Sequence, residues 1–202
     1  MSELNQLPFS QASENNKHAI LEVLQASFAN KNHILEIGSG TGQHAVHFAK
    51  HLSHLQWQPS DQQEYIESLA IRIALEGSKN IATPISLDVT QPWQCQSDAI
   101  DGIFSANTLH IMSMEMVEAC FDGIATHLVA GGSCCIYGPF NYNNHYTSES
   151  NRQFDIWLKE RNVHSGIRDI EWIIELANKT GLSLTADHTM PANNRLLQFD
   201  KC

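Results

Sequence analysis

Apolar and polar positions along this chain follow two alternating periods. Ile20, Leu21, Leu24 and Phe28 recur at three- and four-residue spacing, which predicts a helix over residues 14–29; residues 33–37 follow as a short apolar run that stops at Gly38. After the glycines, Ala45, Val46, Ala49 and Leu52 mark a second helix, residues 55–59 a short strand, and residues 65–76 a helix closed by Gly77. Residues 81–87 are an extended run in which Pro84 predicts edge-like or irregular pairing. The second half repeats the alternation: a strand over 100–106, a helix over 114–127, a turn at Gly131-Gly132 and a strand over 133–137. Beyond it lie a helical stretch at 154–160 and a helix capped by Asp169 that runs through Ala177 and ends at Gly181. Two final strands, 182–188 and 195–199, are joined by Pro191-Ala192-Asn193-Asn194, too short for a crossover helix, so they pair antiparallel. The expected fold is α/β: seven strands, mostly parallel, with an antiparallel strand at the C-terminus and helices on both faces.

The 202 residues fit one domain spanning 1–202, with an N-terminal arm and helix over 1–30 and a polar, aromatic lid-like insertion over 141–166. With 22 acidic against 12 basic side chains the formal net charge is −10, which argues against a polyphosphate backbone as partner and so against nucleic acid. Five cysteines without CxxC spacing, together with a first segment that lacks a basic and apolar leader pattern, predict reduced thiols and a cytoplasmic location. No apolar run approaches the ~20 residues of a membrane span.

The feature that selects a chemistry is Leu35-Glu36-Ile37-Gly38-Ser39-Gly40-Thr41-Gly42, between a predicted strand and a predicted helix. Glycines there permit positive φ and close approach of a ligand, and the helix start offers unpaired N–H groups. A dinucleotide fingerprint would read GxGxxG, but the residue after Gly42 is Gln43, so the third glycine comes one place early. The loop resembles the first motif of class I S-adenosylmethionine-dependent methyltransferases, which have a Rossmann-like fold. Asp61, ~20 residues further on, stands where an acid can accept both ribose hydroxyls. By the same resemblance Glu36, Gly38, Gly40 and Gly42 belong to the cofactor loop, Asp88 contacts the adenine amino group, and Asn107, ending the fourth strand, lies near the methionine end. At a finer level the chain resembles a family that includes methyltransferase-like protein 26, through Asn16-Lys17, Trp57-Gln58-Pro59-Ser60-Asp61, Leu109-His110-Ile111, Tyr137-Gly138-Pro139-Phe140 and Phe154-Asp155 with Gly166-Ile167-Arg168-Asp169. Asn15 stands where that family would carry an arginine.

Together these imply an enzyme that transfers methyl from S-adenosyl-L-methionine to a small-molecule acceptor; a non-catalytic module binding the same cofactor, and a nicotinamide-dependent oxidoreductase, are the rivals. His110 is the candidate base and Tyr142 a candidate wall of the acceptor site, each set against a purely structural role. His44, His47 and His51 have helical spacing, but no carboxylate or cysteine joins them as a metal ligand, so they read as a solvated polar face and no metal is assigned. Arg152, Lys159, Arg161 and Arg168 either meet an anionic substrate or pair with Asp155, Glu160 and Asp169, and pairing is favoured. Cys134 and Cys135 read as core.

Overall fold

The computed structural model describes residues 7–95 and 99–202, so residues 1–6 of the expected arm lie outside the described residues. Helix α1, Gln11–Ser27, starts earlier than the apolar stripe predicts, because the Ser10 side chain accepts a hydrogen bond from Ser13 N–H and caps it. β1 (His33–Ile37), α2 (Gln43–His51), β2 (Gln56–Asp61), α3 (Ile66–Glu76), β3 (Ile85–Ser86), β4 (Ile100–Ala106), α4 (Met114–His127) and β5 (Leu128–Gly138) follow. The chain continues through α5 (Glu149–Arg161), α6 (Ile170–Lys179), β6 (Leu182–Met190) and β7 (Asn194–Lys201).

The seven strands form one sheet in the order β3-β2-β1-β4-β5-β7-β6. Neighbours from β3 to β5 pair parallel, and β7 runs antiparallel to both β5 and β6. The chain leaves β1 toward β2 and β3 and returns to β4 on its other side, which makes the carboxyl ends of β1 and β4 the switch point where such sheets open a crevice.

Alternate residues of the central strands supply two cores. Leu35, Ile103, Cys134 and Ile136 face α4 and α6, while Ile34, Phe104, Cys135 and Tyr137 face α1 and α2. Cys134 and Cys135 are fully buried on opposite sides of the sheet. Among the described residues no helix is long and apolar enough to cross a membrane.

Several elements differ from the sequence reading. The run 81–87 is strand only at Ile85–Ser86; Ile81 makes an isolated bridge to Trp57, and Pro84, which has no N–H, separates the two contacts. β5 begins at Leu128, and its register against β4 jumps from Leu128 opposite Ile100 to Ser133 opposite Gly102, the extra residues being taken up around Gly131 at φ +75°. α5 is a full helix because the Ser148 side chain caps Asn151 N–H. Asp169 occupies the N-cap position of α6 without capping it; its carboxylate accepts from Asn144 N–H at 3.0 Å instead.

Candidate active site

A cavity of about 770 Å³ opens at the carboxyl edge of the sheet, over the switch point. Its floor is the glycine loop. Gly38 and Gly40 have φ of +71° and +53°, a region costly for other residues. A Cβ at Gly38 would come within 2.5 Å of Thr108 Cγ2, whereas one at Gly40 would meet no atom within 4 Å, so Gly40 presents bare backbone to the cavity. Ser105 holds the two strand ends together: its hydroxyl donates to Ile37 O at 2.8 Å and lies 2.7 Å from Thr108 Oγ1. Asn107 lines the cavity at φ +59°, a left-handed conformation asparagine tolerates, fixed by its N–H donating to Tyr137 O.

Asp61 ends β2 with its carboxylate in the cavity wall. Gly40 N–H donates to its Oδ2 at 2.6 Å and Gln62 N–H to its Oδ1 at 2.7 Å. Burial raises its pKa, and the two backbone donors oppose that rise. Each oxygen retains a further lone pair. A carboxylate with spare acceptor capacity beside bare glycine backbone suits a ligand bearing paired hydroxyls, so these residues fit a nucleoside-containing cofactor.

His110 lies at the opposite wall, packed edge-on to Phe154 of α5 at 5.1 Å between ring centres. Burial, helped by the Arg168 charge, pushes its pKa down to about 4, so the ring is neutral at pH 7. Arg168 itself lies behind the loop, donating to the carbonyls of Leu109, Met112 and His164. The roof is formed by the first turns of α1, by α5 and by the β6–β7 turn, where Ala192 is left-handed at φ +58°.

Gly38, Gly40, Asp61, Asn107 and His110 therefore share one cavity, and Glu36, Gly42, Asp88 and Tyr142 do not line it. Glu36 is buried beneath the loop, accepting from Trp57 Nε1 at 3.0 Å, and burial lifts its pKa to about 7. Gly42 starts α2 at φ +76° and packs against α3, where a Cβ would lie 2.7 Å from Leu69 Cδ1. Asp88 is exposed and its Oδ1 accepts from Thr90 N–H and Oγ1–H. Tyr142 donates to Asp187 Oδ2 at 2.7 Å, and burial followed by that carboxylate raises its pKa. Its hydroxyl is committed to that pair rather than to an acceptor wall.

The histidines of α2 require a correction. His44 is buried, not solvated: it lines the cavity, lies 2.7 Å from Asn16 Oδ1, and is held neutral by burial, which lowers its pKa to about 4. Only His51 is exposed as expected. Among the basic residues of α5 and beyond, Lys159 pairs with Asp155, Arg152 pairs with Glu149, Arg161 stacks on Trp157, and Arg168 binds carbonyls.

Sequence reasoning missed Asn16, His44, Tyr137 and Asn194, all of which line the cavity. The signal was present for two of them. Asn16 continues the Ile20, Leu24, Phe28 stripe by one step of four, and His44 the Phe48, Leu52 stripe, so each is a polar residue on an inward face.

The family model described as "Protein of unknown function (DUF938)" matches residues 7–201. This chain belongs to the DUF938 family. Among solved structures, the DUF938 chain is similar to the mitomycin 7-O-methyltransferase MmcR, at 15% identity and TM-score 0.80 over 95% of this chain and 54% of that one. It is similar to an O-methyltransferase family 2 protein from Planctomyces limnophilus, in complex with apigenin, at 14% identity and TM-score 0.81, over 95% of this chain and 58% of that one. A third neighbour, PigF with SAH, has 16% identity and TM-score 0.76 over 86% and 52%. The chain spans about half the length of these proteins, and the likeness is one of fold: a Rossmann-like methyltransferase sheet.

Proposed function

We propose that this protein transfers a methyl group from S-adenosyl-L-methionine to a small-molecule acceptor. The observation that carries the reading is the pairing of Gly40 with Asp61: open glycine backbone at the switch point, with a carboxylate of spare acceptor capacity hydrogen-bonded to it. When bound, the cofactor supplies a methyl carbon already activated by a sulfonium leaving group. The protein's task is then alignment and exclusion of water rather than activation. In this reading Gly38 and Gly40 let the cofactor lie against the loop, and Asp61 accepts from the ribose hydroxyls. Asp88 is assigned to the adenine end: Leu87 N–H donates to Asp61 O, which puts Asp88 one strand out along the same edge, and its Oδ2 has no hydrogen bond among the described residues.

Glu36 supports the loop from below, and Gly42 sets the start of α2. Neutral His110 accepts the acceptor's proton or hydrogen bond as methyl transfer proceeds. Asn107 fixes the geometry between the two ends. The first turns of α1 and the 141–166 insertion, which contains α5, act as the cover that keeps water out.

The neighbours described as O-methyltransferases, one of them with apigenin, support an acceptor oxygen on a small molecule, and PigF with SAH supports the cofactor. The resemblance to the family of methyltransferase-like protein 26 is consistent with this reading, and the five free cysteines with a reducing, cytoplasmic setting. The test is incubation with methyl-labelled S-adenosylmethionine and a fractionated small-molecule extract. Label recovered in a low-mass fraction is expected. Binding of the cofactor with no transfer to small molecules, protein or RNA would instead make the chain a non-catalytic cofactor-binding module.

A further inference from the structure

The Tyr137 hydroxyl, at the carboxyl end of β5, has no task in the scheme above. The residue is 2% exposed, and its ring faces the α1 side of the sheet, where it contributes to the cavity wall. Asn194 Nδ2 donates to its oxygen at 3.0 Å. Asn16 lines the same cavity, with its amide 2.7 Å from His44 Nε2. A phenol oxygen has two lone pairs and one hydrogen. Asn194 fills one lone pair, and the hydrogen remains to be donated. No acceptor takes that hydrogen among the described residues, and a buried donor without a partner is costly. Asn16, Tyr137 and Asn194 all line the cavity, so the natural acceptor is a ligand within it.

The charge inventory of the same cavity limits what that ligand can be. Among the described residues lining it there is no lysine or arginine. His44 and His110 are neutral, and the one carboxylate, Asp61, lies at the glycine loop. The described wall around Tyr137 offers no side-chain cation to a carboxylate or a phosphate, whereas Phe154, Ile111 and Pro139 offer apolar surface. We infer that Tyr137 is a specificity-determining hydrogen-bond donor, held by Asn194, for an uncharged acceptor molecule that carries a carbonyl-type oxygen on an apolar body. This rests on the methyl-transfer reading of the cavity.

The test is a ligand-observed NMR titration of protein saturated with S-adenosylhomocysteine. The probes are 4-hydroxyacetophenone and 4-hydroxybenzamide, their carbonyl-free counterpart 4-ethylphenol, and the charged 4-hydroxybenzoate. The carbonyl probes are expected to bind about tenfold more tightly than 4-ethylphenol, and more tightly than the benzoate. In Tyr137→Phe the preference over 4-ethylphenol should collapse to about onefold, with S-adenosylhomocysteine affinity held within about twofold of the original. If that variant loses S-adenosylhomocysteine binding, Asn194→Ala replaces it: without the amide that fixes the direction of the hydroxyl, the preference should shrink. The inference is overturned by a preference that survives Tyr137→Phe, by a benzoate that binds as tightly as the carbonyl probes, or by no carbonyl probe binding. Failure of the original protein to bind S-adenosylhomocysteine would overturn the proposed function instead.

Discussion

Glu36 and Asp61 are both acids at strand ends beside the glycine loop, yet their surroundings give them different work. Asp61 receives two backbone N–H groups and opens onto the cavity, while Glu36 is enclosed beneath it with the Trp57 indole as donor. With a folded-state pKa of about 7 against an ordinary 4.5, Glu36 binds its proton more tightly in the folded chain than in the unfolded one. Its ionisation therefore opposes folding, and the effect grows as pH rises through that window. Glu36→Gln keeps an acceptor for the indole and removes the cost. Its denaturation free energy relative to the original protein should rise by roughly 1–3 kcal/mol between pH 5 and pH 8. His44 and His110, with pKa values lowered to about 4, lose stability in the opposite direction as pH falls below their ordinary 6.5, but they are common to both proteins and cancel in the difference. Urea unfolding at a series of pH values measures it, and a difference that stays flat would show that Glu36 is not held protonated.

Among the elements, α1 has the largest consequence for the site, and its attachment comes from a residue far along the chain. Arg72 of α3 is 6% exposed; its guanidinium donates to Pro8 O at 2.7 Å, to Thr41 O, and to Glu76 at 2.7 Å. It thereby ties the residue ahead of α1 to the glycine loop. Gln43 adds a second tie, accepting from Ser10 N–H at 2.6 Å and donating to Glu14 at 2.7 Å. Arg72→Met would leave two carbonyls without their charged donor, at a cost of roughly 2–3 kcal/mol. Amide exchange at residues 10–16 should accelerate more than in β1 or β4, whose N–H groups lie in the sheet centre; equal acceleration throughout would indicate general destabilisation instead. Sequence reading found α1 from its apolar stripe but not this attachment. Hydrogen bonds from a side chain to carbonyls 31 and 64 residues away leave no local periodic mark.

At the scale of the whole molecule, strand direction was legible because alternating strands and helices imply parallel pairing and the short final connection an antiparallel pair. Of the elements misjudged in length, α1, β3, β5 and α5 have ends set by one local feature: the Ser10 cap, Pro84, the Gly131 bulge and the Ser148 cap. Half of the site was equally legible, since Gly38, Gly40, Asp61, Asn107 and His110 follow strand ends and converge wherever the strands do. The other half comes from faces turned inward by packing. Asn16 meets His44 and Asn194 meets Tyr137 through a helix folded back over the sheet and an antiparallel last strand, contacts separated by 28 and 57 positions. The net charge of −10 likewise acquires a local meaning, because among the described residues the cavity wall is nearly uncharged and its one carboxylate faces the loop.

The central claim, that this cavity is built for S-adenosylmethionine, is tested most directly by calorimetric titration of S-adenosylhomocysteine and NAD into the original protein and into Asp61→Ala. Saturable one-to-one binding of S-adenosylhomocysteine is expected, weakened by about 100-fold or more in Asp61→Ala through loss of two hydrogen bonds to a charged acceptor, with no measurable binding of NAD. Binding of NAD in preference to S-adenosylhomocysteine, or S-adenosylhomocysteine affinity indifferent to Asp61→Ala, would contradict it.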